Sequence, residues 1–83
     1  MTIVEREIVI TNSQGLHARP AAVLVEALKS YEARVHIEVG SKRADARSIR
    51  SVLALGGSTG DVARVTAEGD DASEVVARIE AIL

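Results

Sequence analysis

The residues best suited to chemistry lie in the segment Gly15–Ala21, GLHARPA. Pro20 marks the first turn of a helix, so His17 stands at the helix entrance. Helix N-termini present unpaired backbone N–H groups and a positive dipole end, which together favour phosphate. Pro20 has no N–H, so Ala18 and Arg19 are the predicted backbone donors, and the Arg19 guanidinium adds a fork that fits phosphoryl oxygens. A neutral imidazole nitrogen is a nucleophile, so the segment predicts phosphoryl transfer to His17.

The same spacing also fits a histidine that only caps a helix. A single histidine without a partner base is weak support for an enzyme. From spacing alone, both interpretations stay open.

Ser48 is a second candidate, at the start of a predicted helix over residues 48–54. A phosphate at a helix start is favoured by the dipole, and Arg47 and Arg50 flank this serine. The alternative is an N-cap serine that stabilises the helix without any regulatory role.

Hydrophobic periodicity predicts seven elements that must position these residues. The predicted strands cover residues 3–10, 35–39, 42–45 and 61–67. The predicted helices cover residues 18–30, residues 48–54 and the residues after Asp71. Asp71 and Glu74 resemble a capping box at the start of the last helix. The order β-α-β-β-α-β-α predicts an α/β (α+β) fold, a two-layer open-faced sandwich. Its four-stranded, mainly antiparallel sheet carries three helices on one face.

Composition limits the function classes. The 83 residues predict one domain, residues 1–83. Without cysteine there is no thiolate nucleophile or disulfide, which favours the cytoplasm. A net charge of −2 and a single aromatic residue, Tyr31, argue against nucleic-acid binding. No run approaches the roughly 18 apolar residues of a membrane span, and GGSTG at 56–60 lacks the ending of a nucleotide-binding loop. No metal or cofactor is expected.

Two segments resemble one known family. GLHARPAA at residues 15–22 is similar to the active-site signature of the HPr family, the histidine-containing phosphocarriers of the phosphoenolpyruvate-dependent sugar phosphotransferase system. RSIRSVLALG at residues 47–56 resembles the family's second segment, around its regulatory serine and short helix. Chain length and element order also agree with the family domain.

The resemblance implies a stoichiometric carrier and not an enzyme. His17 corresponds to the histidine phosphorylated on Nδ1 by Enzyme I, and Arg19 to the arginine beside it. The onward acceptors would be IIA proteins or domains of sugar transporters. The resemblance also implies a cytoplasmic monomer that binds no nucleic acid and does not insert into membranes.

The second segment implies further sites. Ser48 corresponds to the serine that a dedicated kinase and phosphatase act on, and Ile49, Arg50 and Leu53 to the partner-binding surface. Arg50 stands where many relatives have methionine, Ser51 where glycine is frequent, and position 45 is Asp where Asn is common.

Three other functions are alternatives. One is a paralogous carrier of a regulatory, nitrogen-linked or dihydroxyacetone-kinase branch, which differs in the acceptor that it serves. Another is a regulatory binding module that acts through Ser48, which would not need the intact GLHARP segment. A self-contained hydrolase or kinase would need a nucleotide loop, a metal cluster or a partner base.

Overall fold

The computed structural model describes residues 2–83, so Met1 of the predicted domain lies outside the described residues. Its elements are β1 (Ile3–Val9), α1 (Ala18–Leu28), β2 (Arg34–Val39), β3 (Lys42–Asp45), α2 (Ile49–Ala54), β4 (Val62–Glu68) and α3 (Ala72–Ile82). This order confirms the prediction. In residues 2–83 no helix is long and apolar enough to cross a membrane.

The four strands form one sheet in the order β1-β4-β2-β3, and all three pairings are antiparallel. The longest pairing joins β1 to β4, which lie far apart in sequence, with Ile3 opposite Glu68 and Val9 opposite Val62. The predicted antiparallel sheet is therefore confirmed.

The core lies between the sheet and its helices, and the central strands β2 and β4 bury alternate apolar side chains there. The buried core side chains include Ile8, Val35, Ile37, Val65, Leu24, Leu28, Val52, Val75, Val76 and Ile79. The opposite face of the sheet carries charged residues such as Glu7, Arg64 and Arg43. The sandwich is open on that side, as predicted.

Several boundaries differ from the prediction by one or two residues, and those of α1 and β4 differ most. Helix α1 ends at Leu28 rather than residue 30, because the amides of Lys29, Ser30 and Tyr31 bond to carbonyls three residues back. This tighter turn closes the helix. Strand β4 lies one residue later than predicted, at Val62–Glu68.

The predicted capping box at Asp71 and Glu74 is wrong. Asp71 is the N-cap of α3, but its side chain makes no capping bond. Its carboxylate instead accepts hydrogen bonds from the amides of Glu32, at 2.8 Å, and Ala33, at 2.9 Å. The carboxylate therefore ties α3 to the segment before β2, a contact 38 residues away in sequence.

Candidate functional site

His17 is the N-cap of α1, with an extended backbone conformation (φ −90°, ψ −167°). Its carbonyl accepts the amide of Ala21 at 2.9 Å, the first bond of the helix. Its side chain makes no capping bond and is exposed. The interpretation of His17 as a side-chain helix cap therefore finds no support, and the ring is open to an approaching partner.

Two backbone donors are available beside this ring. In residues 2–83, the amides of Ala18 and Arg19 have no backbone or side-chain acceptor, and Pro20 has no amide hydrogen. An 11-residue helix adds the positive end of its dipole at the same place. The geometry supplies the donors that the predicted phosphate site requires.

Arg19 is exposed and lies along a shallow groove beside the helix start. The groove is lined by Asn12, Ser13, Gln14, Arg19, Pro20, Val23, Ala81 and Ile82. Arg19 therefore lies at the surface on the first turn of α1, two residues after His17 in sequence.

A tight turn leads the chain into His17. The Asn12 side-chain oxygen accepts the amide of Gln14 at 2.8 Å, and the Asn12 carbonyl accepts the amide of Gly15 at 3.0 Å. Gly15 has φ +63°, a left-handed conformation that glycine adopts readily. Leu16 is fully buried, so it anchors the turn in the core while the next side chain stays outside.

The segment 56–60 supports this turn from below. The Gly57 carbonyl accepts the Leu16 amide at 2.9 Å, and a Cβ on Gly15 would lie 2.5 Å from that carbonyl oxygen. A Cβ on Gly57 would lie 2.9 Å from Leu16 Cδ1. The sequence indicates only that GGSTG lacks the ending of a nucleotide-binding loop, and it does not predict this contact with the turn before His17. The sequence signal for this contact is the second glycine, Gly57. Gly56 alone is enough to end α2, so Gly57 needs another reason.

Ser48 is the N-cap of α2, where its Oγ accepts the amide of Ser51 at 3.3 Å. Arg47, predicted only as a flanking charge, donates to the carbonyls of Leu28 (2.9 Å), Tyr31 (2.6 Å) and Ala33 (3.0 Å). The structure thus supports the capping interpretation of Ser48, and it commits Arg47 to closing the end of α1. Arg50 remains exposed.

The predicted partner-binding residues lie on the solvent side of α2. Ile49 is 43% exposed, Leu53 is 40% exposed, and Arg50 lies between them in sequence. Helix α2 packs beside α1, on which Val23 is 46% exposed, one turn after Arg19. Val23 was missed by the sequence analysis, although it falls outside the buried stripe of α1 and is apolar. Helix α2 therefore exposes two large apolar side chains beside Arg50, whereas Val23 lines grooves that include Ala81, Ile82 and Arg78 of α3.

In the part of the chain that the structure describes, no three His, Cys, Asp or Glu side chains converge to hold a metal ion. Acidic residues concentrate around a depression lined by residues including Glu32, Glu68, Asp70 and Glu74. The arginines on the first turns of α1 and α2 are not part of that depression.

The chain is similar in sequence and in fold to known proteins. Residues 4–83 match the family described as "PTS HPr component phosphorylation site". The chain is 35% identical over 79 residues to phosphocarrier protein HPr of Vibrio cholerae, covering 95% of this chain and 93% of that protein. The crystal structure of phosphocarrier protein HPr from Bacillus anthracis superposes with a TM-score of 0.94 at 31% identity, covering 100% of this chain and 99% of that chain.

Larger proteins also match. The chain is 38% identical over 74 residues to a multiphosphoryl transfer protein of Xanthomonas campestris, covering 89% of this chain but 9% of that protein. It spans 17% and 21% of two further multiphosphoryl transfer proteins. Similar segments therefore occur both as a chain of about this length and as a small part of longer proteins.

Proposed function

Because this chain belongs to the HPr family of the phosphotransferase system, we propose that it carries a phosphoryl group on His17. The donor is Enzyme I, charged from phosphoenolpyruvate, and the acceptors are IIA proteins or domains of sugar transporters. Residues 1–83 act in the cytoplasm as one carrier domain, as the family resemblance implies.

The observation that carries this proposal is the combination at the start of α1. The exposed His17 is followed directly in sequence by Ala18 and Arg19, whose amides have no acceptor among the described residues. A ring nitrogen of His17 attacks phosphorus, and the new N–P bond forms as the bond between phosphorus and the donor breaks. The transferred group brings negative charge, which the amides, the helix dipole and the Arg19 guanidinium stabilise. An N–P bond on imidazole is labile. In the onward transfer this bond breaks as a new bond forms between phosphorus and the acceptor.

The chain acts as a substrate of its partners and not as an enzyme. His17 needs only to be presented, because the partner that binds it supplies the remaining catalytic groups. Ile49 and Leu53 on α2 give partners an apolar contact, while Arg19 and Arg50 attract acidic surfaces. The longer multiphosphoryl transfer relatives support partners of this kind, because in them a similar segment is part of one larger chain.

Nothing in the fold or the comparisons favours the alternatives of a paralogous branch, a module acting through Ser48, or a self-contained hydrolase or kinase. The hydroxyl of Ser48 has a structural role already, as the cap of α2. The sugar branch therefore remains the proposal.

A relay assay tests it. The purified chain is incubated with Enzyme I and phosphoenolpyruvate, and a panel of IIA proteins is then added, with Vibrio cholerae HPr as the positive control. We expect one phosphate per chain, discharged when a sugar-branch IIA is added. Discharge only to a nitrogen-branch or dihydroxyacetone-kinase acceptor would contradict the sugar branch and support the paralogous carrier. A chain that accepts no phosphate would contradict the carrier role.

A further inference from the structure

The loop between α2 and β4, residues 56–61, forms a platform that is hydrogen-bonded to the chain leading to His17. The Ser58 amide donates to the Asp61 carboxylate at 2.9 Å, and the Asp61 amide donates back to the Ser58 carbonyl at 2.9 Å. These reciprocal bonds close the loop on itself, with Thr59 between the two bonded residues.

Backbone bonds fix this platform against the chain that leads to His17. The Gly60 amide donates to the carbonyl of Ile10 at 2.8 Å, and the Ile10 amide donates to the carbonyl of Asp61 at 2.9 Å. Together with the bond from the Leu16 amide to the Gly57 carbonyl, these bonds hold the segment 10–16 to the platform at both of its ends. These backbone contacts do not depend on which side chains the loop carries.

One side chain of the loop makes a contact of a different kind. The Thr59 hydroxyl donates to the Asn12 carbonyl at 2.6 Å. That carbonyl also accepts the Gly15 amide at 3.0 Å, the bond that closes the turn before His17. Thr59 therefore acts on the acceptor of the bond that closes this turn at Gly15, two residues before His17.

We propose that Thr59 is a positioning residue for phosphoryl transfer at His17, an inference that rests on the proposed carrier function. The hydroxyl fixes the Asn12 carbonyl, this carbonyl holds the amide of Gly15, and the turn aims the imidazole. Because Thr59 is exposed, its loss removes little core packing. Because a hydroxyl donor sets the position of a reacting group, its loss affects the rate at saturation more than partner affinity.

The test compares three variants with the wild-type chain. Thr59→Val keeps the branched shape without the hydroxyl, and Thr59→Ser keeps the hydroxyl. Thr66→Val removes a hydroxyl from the open face of the sheet, where Thr66 makes a 3.4 Å bond to the Glu5 carboxylate. Quench-flow transfer from phosphorylated Enzyme I gives the maximal rate and the half-saturating concentration, and thermal unfolding gives Tm.

We expect Thr59→Val to lower the maximal rate roughly fivefold, the effect of one ordinary hydrogen bond, with an unchanged half-saturating concentration. Thr59→Ser and Thr66→Val should stay within about twofold of wild type. A lower Tm with an unchanged maximal rate, or a change in half-saturating concentration alone, would overturn the proposal.

A second measurement needs no phosphoryl donor, so it separates this proposal from the carrier function. Amide hydrogen exchange of Gly15 should be faster in Thr59→Val than in wild type and restored in Thr59→Ser. Unchanged exchange would overturn the role of Thr59 even if wild-type transfer is normal. If wild type takes no phosphate while the exchange result is as expected, the carrier function fails and the contact stands as a device that orders the turn.

Discussion

Replacing Gly15 by alanine should destabilise the protein through one contact that the structure defines closely. Gly15 has φ +63°, a left-handed conformation that costs an alanine about 1–2 kcal/mol of stability. Its Cβ would also lie 2.5 Å from the Gly57 carbonyl oxygen and 3.1 Å from the Ser58 Cα, both backbone atoms. The turn must therefore move, which strains the Leu16–Gly57 hydrogen bond, worth about 1 kcal/mol.

The sum is about 2–3 kcal/mol of lost unfolding free energy. A chain of 83 residues has a total stability of about 4–12 kcal/mol, so the loss is large but leaves a folded protein. Because the same movement displaces His17, phosphoryl transfer should also fall, by about tenfold or more.

Gly40 provides the matched control. It has φ +61°, and a Cβ on it would meet nothing within 4 Å. Gly40→Ala therefore pays only the left-handed penalty of about 1–2 kcal/mol, and transfer should be unchanged. The difference between the two variants isolates the close approach of the turn to Gly57.

Urea denaturation measures the free energy of unfolding of both variants, and the Enzyme I assay measures transfer. We expect Gly15→Ala to be about 1 kcal/mol or more less stable than Gly40→Ala, the value of the strained bond. Equal stability of the two variants, or normal transfer in Gly15→Ala, would refute the reasoning that Gly57 holds the turn before His17.

Three further substitutions test the surface around the site. Arg19→Ala should slow transfer by at most about 10²–10³-fold while leaving some activity, because the free amides of the helix start remain; stopped-flow rates equal to wild type would remove its role. Arg50→Glu should slow transfer at low salt, with the difference shrinking as salt rises, since an exposed charge acts mainly on association; a salt-independent rate loss would indicate packing instead. Ser48→Asp should slow transfer by repelling an acidic partner while keeping Tm near wild type, because aspartate also caps helices; normal transfer with normal Tm would leave Ser48 a helix cap only.

Local patterns predicted most of the fold. Alternating apolar and polar side chains predict β2, and Pro20 predicts the start of α1. Both patterns involve only residues that are close together in sequence. His17 could be proposed for the same reason, since its place at a helix entrance is a local property. Ser48 was likewise predicted at a helix start, which the structure bears out through its bond to Ser51.

The parts that sequence patterns missed depend on contacts distant in sequence. Asp71 and Glu74 match a capping pattern, yet the Asp71 carboxylate accepts the amides of Glu32 and Ala33, which are 39 and 38 residues away in sequence. Arg47 looked like a free charge near Ser48, but three carbonyls at the end of α1 bind it. Thr59 and Asn12 are 47 residues apart, so no local pattern connects them.

The most direct test of the account is the chemistry of the label that the chain takes from phosphoenolpyruvate. The chain and His17→Ala are each incubated with Enzyme I and radiolabelled phosphoenolpyruvate, and the label is then exposed to acid and to base. His17 is exposed and its side chain makes no capping bond, so the variant should fold with a Tm near wild type. We predict an acid-labile, base-stable label on wild type and none on the folded variant. An acid-stable label, or wild-type labelling of His17→Ala, would contradict phosphoryl transfer through this histidine.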